Sequence, residues 1–335
     1  MQQFEIPKTF KAAQLAEYGK ELQIAEIKTP ELKEGEVLIK VEAAPVNPSD
    51  LSLNDGHYPS GKVLPAVPGI EGSGVVVQIG PNVENVKVGT KVAFTAYSNY
   101  GSYGQYSLTT SQQIIPLDDD ISFEAGASSI VNPITVLLML IETQELGAKA
   151  IVHTAASSAL GRMLVKYFQD SGIDVINVVR RQEQVELLQK EGAKYVLNQT
   201  SETFQKDLNA LAHKLNATVF FDCIGGNITG EILSQLPNKS TALLYGLLSG
   251  QPVSDISAIS LIFQGKTIKG FWLTTLIHKY NPFVDENAKK NLNALLKTTL
   301  KTEYAKQYPL DKINEGIQFY KKNQTSGKIL VRPHQ

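Results

Sequence analysis

Hydrophobic and polar positions follow two different rhythms along this chain. Up to about residue 122 the dominant period is two. Glu36-Val37-Leu38-Ile39-Lys40-Val41-Glu42 alternates as a half-buried strand does. Gly74-Val75-Val76-Val77-Gln78-Ile79-Gly80 is a second strand, ended by the turn former Gly80-Pro81-Asn82. Lys91-Val92-Ala93-Phe94 and Tyr103-Gly104-Gln105-Tyr106-Ser107-Leu108 follow, each flanked by glycine. Short strands punctuated by Gly and Pro predict a small β-barrel or sandwich over residues 1–122.

The rhythm then changes. Ser122 is placed to cap a helix with Glu124 in its first turn, and that helix is expected to run to about Glu142 with a bend at Pro133. Ala150–Ala155, Asp174–Val179, Tyr195–Leu197, Ala217–Asp222 and Thr241–Tyr245 read as apolar strands. Helical spacing separates them, at Leu160, Leu164, Val165 and Phe168, around Val185, Leu187 and Leu188, and from Leu208 to Leu215. Apolar strands alternating with helices predict an α/β domain, a doubly wound parallel sheet of Rossmann type over residues 123–265. After residue 266 the pattern breaks into Thr267–Trp272, a polar helix and a last strand, Lys328–Val331, a tail expected to rejoin the first domain.

Composition narrows the function classes. The 335 residues carry 32 Lys+Arg against 33 Asp+Glu, and no basic block, so nucleic acid is not an expected partner. At 42% hydrophobic the chain buries sizeable cores. The single cysteine, Cys223, excludes a disulfide framework and a cysteine-cluster metal site. Met1-Gln2-Gln3-Phe4-Glu5 shows no signal-peptide pattern. The apolar run Ile130–Ile141 is broken by Asn132-Pro133 and falls short of the roughly 20 residues of a spanning helix. A cytoplasmic, two-domain protein acting on a small molecule is expected, without a membrane partner.

Candidate chemistry begins at the turn after Ala155. Ala156-Ser157-Ser158-Ala159-Leu160-Gly161 leads into a helix, as in dinucleotide folds, where backbone N–H groups and a helix N-terminus face the pyrophosphate. Only Gly161 of three expected glycines is present; Ala156 and Ala159 take the other places. The segment reads either as a phosphate loop or as an ordinary strand-to-helix turn. The next strand ends Val178-Val179-Arg180-Arg181, with no acid before Glu183. An acid there would hold the ribose hydroxyls of NAD, whereas arginine accepts a 2′-phosphate with its charged, planar fork. NADPH is therefore the expected cofactor, the alternative being two solvated surface arginines.

Val46-Asn47-Pro48-Ser49-Asp50-Leu51, Val67-Pro68-Gly69-Ile70-Glu71-Gly72-Ser73-Gly74, Gly80-Pro81-Asn82-Val83 and the loop ending at Gly161 together resemble the medium-chain dehydrogenase/reductase superfamily, in order and across essentially the whole chain. The resemblance implies a GroES-like catalytic domain wrapped around a nucleotide-binding domain, and a homodimer, for which the strand Thr241–Leu248 is the candidate edge. The zinc alcohol dehydrogenases of that superfamily place a ligating cysteine where this chain has Asn47 and a histidine where it has Ile70, so a zinc-free reductase is expected. Asn47-Pro48-Ser49-Asp50, Ile176–Arg180, Tyr245-Gly246 with Gln251-Pro252-Val253, and Gly270-Phe271-Trp272-Leu273 look like the 2-enoyl-thioester reductases, with quinone oxidoreductases as the alternative.

Tyr58 matches the tyrosine which the enoyl-thioester group uses in catalysis, and a tyrosine also occurs nearby in many quinone oxidoreductases. Without a metal, the charge that hydride addition pushes onto a conjugated carbonyl needs a hydrogen-bond donor, which a tyrosine hydroxyl supplies. Tyr58 otherwise reads as a half-buried structural residue. Asn47 reads either as an orienting amide or as a turn residue. The resemblance and the loop together nominate Ser157, Ser158, Ala159, Leu160, Gly161, Arg180, Arg181, Gly246, Phe271 and Trp272 for the cofactor, with core packing the other reading of Trp272. His57 reads as a surface residue, His153 as a core histidine and Cys223 as a small buried hydrophobe. A protein that binds NADPH as a sensor, with little catalysis, is the non-enzymatic alternative.

Overall fold

In the first third of the chain, alternation at period two builds antiparallel sheet, each strand turning its apolar side chains inward. A computed structural model describes residues 4–59, 61–96, 98–280 and 286–335. Strands β1 (Thr9–Gln14) and β2 (Gln23–Lys28), which the sequence pattern does not announce, pair antiparallel. β3 (Glu36–Pro45) pairs with β4 (Glu71–Ile79) on one side and β6 (Tyr106–Thr110) on the other. β5 (Lys91–Thr95) joins β4 to β7 (Ile114–Pro116). Val37, Ile39, Val41, Val76, Phe94 and Tyr103 lie in the core that these strands enclose. Between β3 and β4 sits a short helix, α1 (Pro48–Asn54), with Pro48 in its first turn, where its missing N–H costs nothing.

The helix expected from Ser122 to Glu142 is two helices. Ser122 caps α2 (Phe123–Ala127), its hydroxyl accepting the Ala125 N–H at 3.2 Å. The chain then breaks, and α3 runs over Val131–Glu145. Pro133 does not bend a continuous helix: it lies in the first turn of α3, the one place where a proline displaces no intrahelical bond.

From here strands and helices alternate: β8 (Ala150–Thr154), α4 (Ala159–Asp170), β9 (Asp174–Val179), α5 (Gln182–Lys190), β10 (Tyr195–Asn198), α6 (Phe204–Leu215), β11 (Val219–Asp222), α7 (Asn227–Gln235), β12 (Thr241–Leu244), α8 (Ala258–Ile262), β13 (Thr267–Gly270) and α9 (Leu273–Tyr280). The six strands form one parallel sheet in the order β10-β9-β8-β11-β12-β13. This corrects two expectations. Thr241–Leu248 is not an edge: β12 pairs with β11 and with β13, and β13 is the outer strand. The segment from 266 does not leave at once, because Thr267–Gly270 is hydrogen-bonded along β12 and completes this sheet.

The chain returns to the first sheet later. After α10 (Glu286–Leu296), β14 (Tyr304–Pro309), α11 (Ile313–Lys322) and β15 (Lys328–Arg332), β14 pairs parallel with β15, and β15 pairs antiparallel with β3. Two units result, Met1–Pro133 with Asn281–Gln335, and Ile134–Tyr280. Among the described residues no helix is long and apolar enough to cross a membrane.

Candidate functional site

In the antiparallel unit, the turn from β3 into α1 carries Asn47, the start of β4 carries Glu71, and the start of β15 carries Lys328; all three are buried. The Lys328 ammonium donates to Asn47 Oδ1 and lies 3.6 Å from Glu71 Oε1. Asn47 Nδ2 donates to the same Glu71 oxygen at 2.9 Å, and Glu71 Oε2 accepts the N–H groups of Ile130 (3.2 Å) and Val131 (2.9 Å), where α3 begins. Both ends of the Asn47 amide are thus engaged, which fixes its orientation. Asp50 accepts the Asn47 N–H at 2.8 Å and the Ile70 N–H at 2.9 Å. Burial raises the Asp50 carboxyl to about 6; those two N–H groups pull it down and neighbouring Glu71 pushes it further up. Burial likewise lowers the Lys328 ammonium, against the pull of Glu71 and Asp50.

These residues do not fit zinc. Zinc needs thiolate, imidazole or carboxylate ligands; Asn47 offers an amide, Ile70 a hydrocarbon, and both Glu71 oxygens already accept hydrogen bonds from Asn47, Ile130 and Val131. Among the described residues no group of three His, Cys, Asp or Glu side chains is arranged to hold a metal.

Tyr58 lies beyond the other end of α1, half-buried, on the segment that follows Asp55. His57 beside it is exposed. Asn47 and Tyr58 therefore flank one short helix. Lys62, four residues on, is buried with its ammonium donating to the Ser98 carbonyl; burial lowers it to about 8.

In the parallel unit, every nominated cofactor residue falls at the carboxyl end of a strand. The order of the strands reverses on either side of β8, the point at which doubly wound sheets open a crevice for a ligand. The turn after β8 uses Ala155 in the left-handed region (φ 49°), Ala156 and Ser157 are buried, and Ser158 caps α4 by accepting the Gly161 N–H at 3.1 Å. The first-turn N–H groups of Ala159 and Leu160 have no carbonyl one turn back and point out of the helix end. Gly161 is required: a Cβ there would lie 2.3 Å from the Ala156 carbonyl oxygen, so only a bare Cα lets α4 approach β8. A tight loop ending in a helix N-terminus is the cradle a pyrophosphate needs. Arg180 and Arg181 follow β9 and are exposed; their backbone N–H groups both donate to Gln184 Oε1 at 3.1 Å, and Arg181 Nε lies 2.5 Å from Glu183. Gly246 follows β12 and packs on Cys223, where a Cβ would come within 2.9 Å of the Cys223 Cβ. Phe271 is buried after β13, edge-on to Phe221 at 5.7 Å, and Trp272 beside it is exposed.

Asp222, at the end of β11, was not singled out by the sequence, yet it organises this edge. Its Oδ1 accepts the Thr154 hydroxyl (2.6 Å) and the Ile224 N–H (2.9 Å); its Oδ2 accepts the Thr229 hydroxyl (2.6 Å) and the Gly225 N–H (3.2 Å). An acid closing an apolar strand just before Gly225-Gly226 was the available signal. His153 is buried, with Nε2 2.7 Å from the Tyr245 hydroxyl and no partner at Nδ1 among the described residues; burial lowers it to about 3, so it stays neutral. Cys223 is buried and its thiol is pushed up to about 12 by burial, which makes it inert rather than nucleophilic.

Comparison with known proteins places this architecture. Residues 33–119 match the family Alcohol dehydrogenase GroES-like domain, and residues 159–289 the family Zinc-binding dehydrogenase. The mitochondrial enoyl-acyl-carrier-protein reductase of Caenorhabditis elegans is 34% identical over 244 residues, covering 71% of this chain and 69% of that protein. The human protein of the same name is 29% identical over 285 residues, 82% of this chain and 76% of its own length. The crystal structure of a candidate NADPH:quinone reductase from Mesorhizobium loti, 29% identical, superposes with a TM-score of 0.90 over 98% of this chain and 100% of that one. The chain belongs to the medium-chain dehydrogenase/reductase superfamily, in its enoyl- and quinone-reductase branch, and is an oxidoreductase of that type.

Proposed function

We propose that the protein is an NADPH-dependent, zinc-independent reductase of a carbon–carbon double bond conjugated to a thioester carbonyl, with Tyr58 as the donor to the carbonyl oxygen. The observation that carries this reading is the replacement of the metal-ligand positions by Asn47 and Ile70 in a chain whose relatives are enoyl-acyl-carrier-protein reductases. The reduced nicotinamide supplies a hydride when bound. The loop Ser157–Gly161 holds the pyrophosphate, Arg180 and Arg181 take the 2′-phosphate, and Gly246, Phe271 and Trp272 border the nicotinamide side. Tyr58 donates a hydrogen bond as charge gathers on the carbonyl oxygen, and Asn47, locked by Lys328 and Glu71, keeps the chain entering α1 in place.

Turnover of NADPH with a crotonyl thioester, simple enones and quinones tests the substrate class. Tyr58→Phe should lower kcat with the thioester by roughly a hundred- to a thousand-fold and leave NADPH affinity unchanged, the pattern of a contact made only in the transition state. Wild-type turnover in that variant would make Tyr58 structural. The second reading, a quinone reductase, is supported by the likeness to the Mesorhizobium loti protein; it predicts turnover confined to quinones, with a smaller Tyr58→Phe effect, because a quinone accepts hydride into a stabilised aromatic oxyanion. Replacing both Arg180 and Arg181 with Ala should weaken NADPH binding by about 1.5–3 kcal/mol and leave NADH binding unchanged in a titration; equal wild-type affinities for the two cofactors would overturn the assignment. The outer strand β13, near the exposed Ile259, Ile262 and Phe263, supports a homodimer formed along that edge, which light scattering at micromolar concentration measures.

A further inference from the structure

The segment that carries Tyr58 is held at both ends by one other side chain. Tyr18, in the turn between β1 and β2, is half-buried and packs against the core of the antiparallel unit. Its ring lies against the bare Cα of Gly56: a Cβ there would meet Tyr18 Cγ at 3.0 Å and Tyr18 Cβ at 3.2 Å, and Gly56 adopts φ +76°. Its hydroxyl donates to the Lys62 carbonyl at 2.7 Å and lies 3.1 Å from where a Cβ on Gly61 would be. Tyr58 sits between these two points of contact. Each end has further ties. The Gly19 N–H donates to the Asn54 carbonyl (2.8 Å) and the His57 N–H to the Ser52 carbonyl (2.9 Å) on the α1 side. On the other side the Lys62 ammonium donates to the Ser98 carbonyl, and Asn99 Nδ2 to the Val63 carbonyl at 2.7 Å.

We infer that Tyr18 is a positioning residue for Tyr58, its phenol bridging Gly56 on one side of Tyr58 to the Lys62 carbonyl on the other and so fixing where the Tyr58 hydroxyl stands. The inference rests on the role proposed above for Tyr58. A hydrogen-bond donor to a developing oxyanion must stand within about half an ångström of its working position, and a short segment pinned at both ends reaches that tolerance where a free loop does not. The Tyr18 hydroxyl is itself spent on the Lys62 carbonyl, so it acts through Tyr58 rather than on the reacting atoms. Gly56 leaves the ring its room, with a left-handed φ and Tyr18 Cγ 3.0 Å from where a Cβ would stand, and at Gly61 a Cβ would crowd the hydroxyl.

The test is a double-mutant cycle, run with NADPH and a crotonyl thioester, or with 1,4-benzoquinone if the thioester is not turned over. Tyr18→Phe keeps the ring against Gly56 and removes only the bond to Lys62. It should lower kcat roughly threefold to tenfold with KM for NADPH unchanged. In a Tyr58→Phe background the same change should cost nothing further, because the hydroxyl it positions is already gone. Wild-type kcat in Tyr18→Phe, or an equal loss in both backgrounds, would overturn the inference while leaving the role of Tyr58 intact. Wild-type turnover in Tyr58→Phe alone overturns both.

Discussion

The two units bury their polar groups in opposite ways. In the antiparallel unit the cluster joins Asn47, Glu71 and Lys328, positions from one end of the chain to the other, and it holds an ammonium against a carboxylate away from water. In the parallel unit the Asp222 carboxylate is satisfied mostly by its own vicinity, Ile224, Gly225 and Thr229, and among the described residues only Thr154 is contributed from afar. The first cluster therefore forms only when β15 docks on β3, whereas most of the second is assembled by one strand-to-helix turn. Each unit is therefore vulnerable in a different place. A buried charge pair built from distant segments fails as a whole when one member is lost. A carboxylate wrapped by adjacent N–H groups is supported by the backbone itself.

The largest expected effect breaks the long-range cluster. Lys328→Met leaves the Glu71 carboxylate buried with only neutral donors, and should destabilise the antiparallel unit by about 3–5 kcal/mol in urea unfolding. Adding Glu71→Gln removes the stranded charge and should recover part of that loss; a Lys328→Met protein as stable as wild type would show that the pair contributes nothing.

A middle-sized effect belongs to the parallel unit and is set by pH. His153 has its folded pKa lowered to about 3 from 6.5, because burial disfavours the imidazolium. Below pH 6.5 the unfolded chain takes up a proton there that the folded chain refuses, so this stability is complete above pH 6.5 and is lost as pH falls. Between pH 8 and pH 5 the loss should be about 2 kcal/mol. His153→Phe should abolish that part of the acid slope when denaturation of variant and wild type is compared at the two pH values. Parallel curves would mean that His153 titrates normally.

The smallest effect sharpens the comparison at the cofactor loop. Ala155 holds a left-handed conformation that strains a residue with a Cβ. Ala155→Gly should relieve that strain and, after the entropy that glycine adds to the unfolded chain, stabilise by roughly 0.5 kcal/mol. A Tm below that of wild type would show that Ala155 is comfortable there.

How much of this was readable in advance follows the same division. The loop from Ala156 to Gly161 and the arginines after β9 are legible as candidates because each directly follows an apolar strand, and the doubly wound sheet brings strand ends to one edge. Tyr58, Asn47, Gly246, Phe271 and Trp272 are legible only through the family resemblance. Asp222 was passed over although its signal was local. In the sequence Lys328 stands only as part of a last strand and Tyr18 carries no signal, because nothing near either residue in the chain names its partner.

The α/β class, the change of period near residue 122 and the parallel sheet are written in side-chain periodicity that short segments carry, and the family resemblance marks Asn47 and Ile70 as standing where metal ligands would be. Only the tertiary structure decided that α2 and α3 are separate helices, that β13 and not β12 is the edge, that Lys328 meets Asn47 and Glu71, and that Tyr18 spans the Tyr58 segment. The physical reason is that strand order and buried pairing depend on which distant segments bury one another's surfaces. That choice is made by the free energy of the whole packed chain, and local periodicity does not encode it.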